Sequence, residues 1–328
     1  VRIAAFIAAA LLAAQAPAQA LPQGPDQVLE PARQALAAGN YTLAYREFAR
    51  HADTSPLAQF TLGLFERQGW GRAPNPAAAC AWFDKAAQRG VPAAQQFLGD
   101  CLAKGTGRAV DGQAALQWYR KAGAAGIHDA LCAAGDLYIA GTIVPRDVRQ
   151  GLALCAAAAQ AESPSAMLRL ADHYRAGGAV PQNLALARYW YDQAAQRHQH
   201  AAQFQLGVML GEGQGGDADP ARALFWLEHA AREGYAPAYL PTAVLYANAR
   251  PDPTTGALTP DNLARIYMWN SAAKARTTDP AQRAEIARIE TVVLAVMPAQ
   301  WQPELDRKVA DHLARYPLPQ SSQPLHPN

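Results

Sequence analysis

Alanine returns at one register, at Ala58, Ala94, Ala130, Ala166, Ala202 and Ala238, with 36 residues between successive members. A Leu-Gly pair keeps the same phase at Leu62-Gly63, Leu98-Gly99 and Leu206-Gly207, and tryptophan does so at Trp82, Trp118, Trp190 and Trp226. A fixed period of this length marks a repeat array, in which each unit buries its apolar face only against its neighbours. Such a chain is constrained to stack one supersecondary unit many times. Its function then lies in the positions that vary between units.

Within a unit the apolar spacing is helical. In the second, Ala94, Leu98, Gly99 and Leu102 form one stripe, and Gly105 and Gly107 end it. Ala115, Trp118, Ala122 and Gly123 form the matching stripe of a second helix, which Gly126 ends. Small residues let helix axes approach closely, and tryptophan is expected to fill the space between layers. The predicted fold is all-α, a right-handed α-solenoid of helix-turn-helix repeats of about 36 residues. Six units are expected over 56–276, preceded by an N-terminal helical cap at 21–55. C-terminal capping helices at 277–316 follow, then a disordered tail at 317–328 rich in Pro, Ser and Gln. In the sixth unit Trp269 comes late, after an insertion near Arg250–Gly256.

The first twenty residues read as a signal peptide. Arg2 is a short basic region, Ile3 to Ala14 are apolar, and Ala18-Gln19-Ala20 is a cleavage site. The apolar run falls short of the ~20 residues that span a bilayer. The expectation is export to the periplasm, with secretion as the alternative and no membrane span after cleavage. The formal charge of +2 gives no electrostatic case for nucleic acid.

These residues resemble the Sel-one-like repeat family, relatives of the tetratricopeptide repeat. The fifth unit carries the pattern as Ala202, Leu206-Gly207, Gly213, Gly215, Ala223, Trp226, Ala230-Ala231 and Gly234. The third is degraded, with Leu154 in place of tryptophan and Glu162 in place of the closing glycine. The resemblance implies scaffold or adaptor work, with the first helix of each unit lining the concave face.

Four cysteines in an exported chain allow three pairings. In an antiparallel helix pair, facing residues lie equally far from the turn. Cys80 and Cys101 do so about Gly90-Val91, and Cys132 and Cys155 about Gly141–Pro145. Two bridges are expected, each stabilising by roughly 3 kcal/mol on the chain-entropy model. The alternative is four buried thiols.

Motifs of catalysis fail in context. Gly211–Gly216 contains G-x-G-x-x-G but falls on a repeat turn with no strand before it. Ser271–Lys274 matches S-x-x-K without its companion motifs. His198 and His200 diverge on a helix and have no third ligand. The expectation is therefore no enzyme, no cofactor and no metal. One variable register stands out: Leu64, Asp100, Asp136, Asp172, Val208, Val244. The aspartate ladder, with Arg169 and His173 beside Asp172, is the candidate binding stripe. The expected function is an exported scaffold that binds a protein or peptide partner in the cell envelope. A module that binds peptidoglycan fragments or modifies the cell wall is the alternative.

Overall fold

The computed structural model describes residues 27–317. The expected signal peptide and all of the tail beyond Pro317 lie outside the described residues. Sixteen α-helices and no strand occur among the described residues, in agreement with the all-α expectation. They are α1 Glu30–Ala37, α2 Tyr41–Arg50, α3 Pro56–Gln68, α4 Pro76–Gln88, α5 Pro92–Lys104, α6 Gly112–Ala124, α7 His128–Ala140 and α8 Val148–Gln160. The chain continues through α9 Pro164–Ala176, α10 Leu184–Gln196, α11 His200–Glu212, α12 Pro220–Arg232, α13 Tyr239–Ala247, α14 Pro260–Arg276, α15 Pro280–Val296 and α16 Gln302–Arg315.

Two compact units divide the chain. Of the described residues, one holds those up to Ala130 and Thr142–Pro145; the other holds Leu131–Gly141 and those from Arg146 to Pro317. In each, successive helices pack on one another. The alanine register is its core: Ala58, Ala94, Ala130, Ala166, Ala202 and Ala238 are all 0% exposed. Glycine in the Leu-Gly pair is required by contact. A Cβ on Gly63 would meet the Phe83 ring at 2.5 Å, on Gly99 the Tyr119 ring at 2.5 Å, and on Gly207 the Leu227 side chain at 2.6 Å. In the third repeat a Cβ on Gly135 would meet the backbone oxygen of Gly151 at 2.5 Å. There the two backbones themselves meet.

The tryptophans sit differently from expectation. Trp82, Trp118, Trp190 and Trp226 are only half-buried. The residue after each is the buried one: Phe83, Tyr119, Tyr191 and Leu227 are at most 3% exposed. In α4 the buried arc runs Ala79, Phe83, Ala86, Ala87. That i, i+4, i+7, i+8 stripe leaves Trp82 at its edge.

Each second helix starts on a side-chain cap. Asn75, Asp111, Asp147, Asn183 and Asp219 accept the N–H of the third residue beyond, at 2.9–3.0 Å. These caps recur every 36 residues. Each also donates its own backbone N–H to the preceding helix, to Glu66, Leu102, Tyr138, Tyr174 and Leu210 respectively. One residue thus satisfies the helix N-terminus and fixes the hairpin.

Helix α13 is short, follows a 3-10 turn at Ala236–Ala238, and leads through 248–259 to the longer α14, which buries Trp269. Helices α15 and α16 close the second unit. Tyr267 donates to Asp306 (2.7 Å), Arg276 donates to the carbonyls of Leu313 and Tyr316, and Asn270 donates to the carbonyl of Ile286. The Tyr316 ring lies against Gly234, leaving no room for a Cβ there. None of the described helices is long and apolar enough to cross a membrane.

Candidate functional site

The aspartate ladder lies on the first helix of repeats two to four, on α5, α7 and α9. Its members have different partners. Asp100 accepts from the hydroxyl of Tyr119 on α6 (2.7 Å), and Asp172 accepts from that of Tyr191 on α10 (2.5 Å). Both phenols are buried. A buried hydroxyl needs an acceptor, and the aspartate supplies it. Burial first, and then the bond to Asp172, push the Tyr191 phenol well above its ordinary range. Arg175 donates to the Tyr191 oxygen (2.9 Å).

Repeat three breaks the pairing. Cys155 stands where Tyr119 and Tyr191 stand, and it is bridged to Cys132. Asp136 lies 3.9 Å from the Cys155 sulfur. It turns instead to the next repeat, bonding the guanidinium of Arg169 and Nε2 of His173, the latter at 2.7 Å. A carboxylate only accepts, so His173 carries its proton on Nε2. Burial, reinforced by the Arg169 charge, pulls the His173 imidazole below its ordinary value, while Asp172 opposes this. At neutral pH the cluster is a carboxylate held by one guanidinium and a neutral ring. Its three side chains are about one-quarter to one-third exposed. Arg169 and His173 therefore serve Asp136, one repeat back, while Asp172 serves Tyr191.

The two expected cysteine pairs are bridged: Cys80 to Cys101, with Cα atoms 5.9 Å apart, and Cys132 to Cys155, at 4.0 Å. Beside the second pair the backbones of the two helices also come together, at Gly135 and Gly151. Cys132, Asp136 and Cys155 also form the one group of three candidate metal ligands among the described residues. With the sulfurs bonded to each other, they are not free as ligands.

The rejected motifs have packing roles. Gly213 and Gly215 take left-handed backbone in the turn after α11, and Gly215 abuts the backbone at Leu184 so closely that no Cβ fits. Lys274 pairs with Glu290 on α15 at 2.8 Å. His198 occupies the closing-glycine register with a left-handed φ of 59°, and His200 lies 3.4 Å from the Gln203 side chain.

The Sel1 repeat family model matches five consecutive stretches, 56–91, 92–127, 128–163, 164–198 and 200–235. No curated protein matches the chain. Among solved structures, the chain is similar to a Sel1 repeat protein from Oxalobacter formigenes, with 28% identity and a TM-score of 0.59 over 76% of this chain and all of that one. It is also similar to c5321, a protective antigen of uropathogenic Escherichia coli with an SLR fold. That likeness has 21% identity and a TM-score of 0.59, over 90% of this chain and 62% of c5321. The repeat register, the pairwise helix packing and the five family-model matches agree, and the chain belongs to the Sel1 repeat family.

Proposed function

We propose that this chain is an exported, non-catalytic scaffold that captures a protein or peptide segment, with Asp136, Arg169 and His173 as the polar anchor of the contact. Sel1 repeats are helical scaffolds commonly used as protein-interaction modules. The observation that supports the anchor is that these three side chains join two repeats, remain partly exposed and cap no buried phenol. Asp100 and Asp172 have an internal task, each as the acceptor of a buried tyrosine hydroxyl. Two bridged cysteine pairs favour an oxidising compartment, which fits the periplasm.

The test immobilises the chain from Leu21 and passes periplasmic extract over it beside soluble muropeptides, with bound material identified by mass spectrometry. The comparison is the Arg169→Gln, His173→Gln double variant, which leaves the tyrosine acceptors intact. Specific capture of a protein, lost at least tenfold in a variant with unchanged thermal midpoint, supports the anchor. Undiminished capture rejects it. Retention of muropeptides without a protein transfers the function to the cell wall.

A further inference from the structure

On the second helix of each repeat, the outer side of the tryptophan changes along the chain. One turn after the tryptophan the residues are Lys85, Lys121, Ala157, Gln193 and His229. In the first two repeats the lysine covers the indole. Lys85 Nζ lies 4.3 Å from the Trp82 ring centroid, and Lys121 Nζ lies 4.1 Å from that of Trp118. The third repeat has Leu154 in place of tryptophan. In the fourth and fifth the tryptophan returns without its lysine.

The same two repeats add a second aromatic residue just before the tryptophan, where the others have Ala81, Gln117 and Ala153. Tyr189 is 53% exposed and Phe225 58%. The Tyr189 ring meets Trp190 edge-on at 5.0 Å and 74°, and Phe225 meets Trp226 at 5.0 Å and 78°. Two aromatic pairs of matching geometry thus stand one repeat apart. Neither exposed ring contributes to the buried core.

We propose that these two aromatic pairs bind cationic side chains of a partner, a lysine or arginine at each pair, as the chain's own lysines bind the tryptophans of repeats one and two. The argument is charge complementarity. The face of an indole is negative and attracts an ammonium within about 6 Å. This register already shows that contact twice inside the chain. Two neighbouring arginines are paired with carboxylates: Arg222 with Asp192 (3.1 Å) and Arg232 with Glu228 (3.0 Å), the latter shared with Arg265, while Arg188 donates to the carbonyl of Asp217. The surface lies on the second helices, so it is independent of the Asp136 anchor on the first.

The test follows the tryptophan indole N–H signals of the full chain by NMR, assigned with Trp190→Phe and Trp226→Phe. The probes are a short lysine-rich peptide, a glutamate-rich peptide of equal length, and a neutral chito-oligosaccharide. The lysine peptide should shift Trp190 and Trp226 saturably while Trp82 and Trp118 stay still. Tyr189→Ala and Phe225→Ala should each weaken binding by about two- to fivefold. Gln193→Lys with His229→Lys rebuilds the internal contact of the first repeats and should abolish the shifts at an unchanged thermal midpoint. The proposal is overturned if the lysine peptide leaves both signals unmoved. It is equally overturned if the lysine-substituted variant binds like the parent, or if the saccharide binds as well as the peptide.

Discussion

Asp100 and Asp172 accept hydrogen bonds from buried tyrosines nineteen residues further on, and the array's own variation explains why. Where the first position is apolar the second is too: Leu64 goes with Phe83, and Val208 with Leu227. The carboxylate therefore belongs to the phenol. A hydrogen bond to a charged group contributes roughly 1.5–3 kcal/mol, and removing one partner of a buried polar pair costs about 1–3 kcal/mol. Asp100→Leu alone should destabilise by about 1–3 kcal/mol, because it strips the Tyr119 hydroxyl of its carboxylate. Tyr119→Phe alone should cost about 1 kcal/mol. The double variant copies repeat one and should recover most of the loss. Urea unfolding of all four proteins checks this, and simple additivity of the two single effects would refute the pairing.

At the scale of the helix, the caps set the start of each second helix. Replacing a capping Asn or Asp by Ala typically costs ~1 kcal/mol. Asn75→Ala and Asp147→Ala should each do so and should add within about 0.5 kcal/mol, since the sites are far apart in sequence and share no partner. Urea midpoints of the two single variants and the double variant decide this, and a loss confined to one cap would mean that the register is not equivalent. These caps show where sequence reading stops. The alanine and Leu-Gly register was legible because a single residue type recurs and its burial is uniform. The cap register is less legible because either Asn or Asp fills it, and its meaning depends on an N–H three residues on. Tryptophan, the largest apolar residue in phase, is the one the sequence points to as core. The buried arc is centred one residue later, on Phe83 and its equivalents. The aspartate ladder was visible, but its partners lie on another helix, so periodicity gave the positions and not the bonds. Both cysteine pairings were legible, because distance from a helix-hairpin turn is a property of the sequence.

Across the whole molecule, an array stabilised by neighbour contacts depends on how its end is closed. The second unit closes on His312, which stacks edge-on against Tyr239 and Trp269 and lies 3.0 Å from the Tyr239 oxygen. Burial, then the charges of Arg315 and Arg276, hold the His312 imidazole below its ordinary value of 6.5. His173 is depressed as well. Two bases that resist protonation in the same unit give a definite sign. The unfolded chain takes up protons first as pH falls below about 6.5, so the folded state loses relative stability from there down through the folded values. Above about 6.5 their contribution is complete. Carboxylates held low by local bonds, such as Glu285 and Glu304, have ordinary values of 4.5 and titrate beneath that window. Urea midpoints measured between about pH 7.5 and pH 5.5 should therefore fall with acidification. His312→Phe keeps an aromatic ring in the cap, and with His173→Gln it removes both titrations. That variant should show a shallower pH dependence than the parent, even if its midpoint at pH 7.5 is lower. A parent midpoint that does not move, or a double variant with the parent's slope, would show that neither ring couples protonation to the closure of this unit.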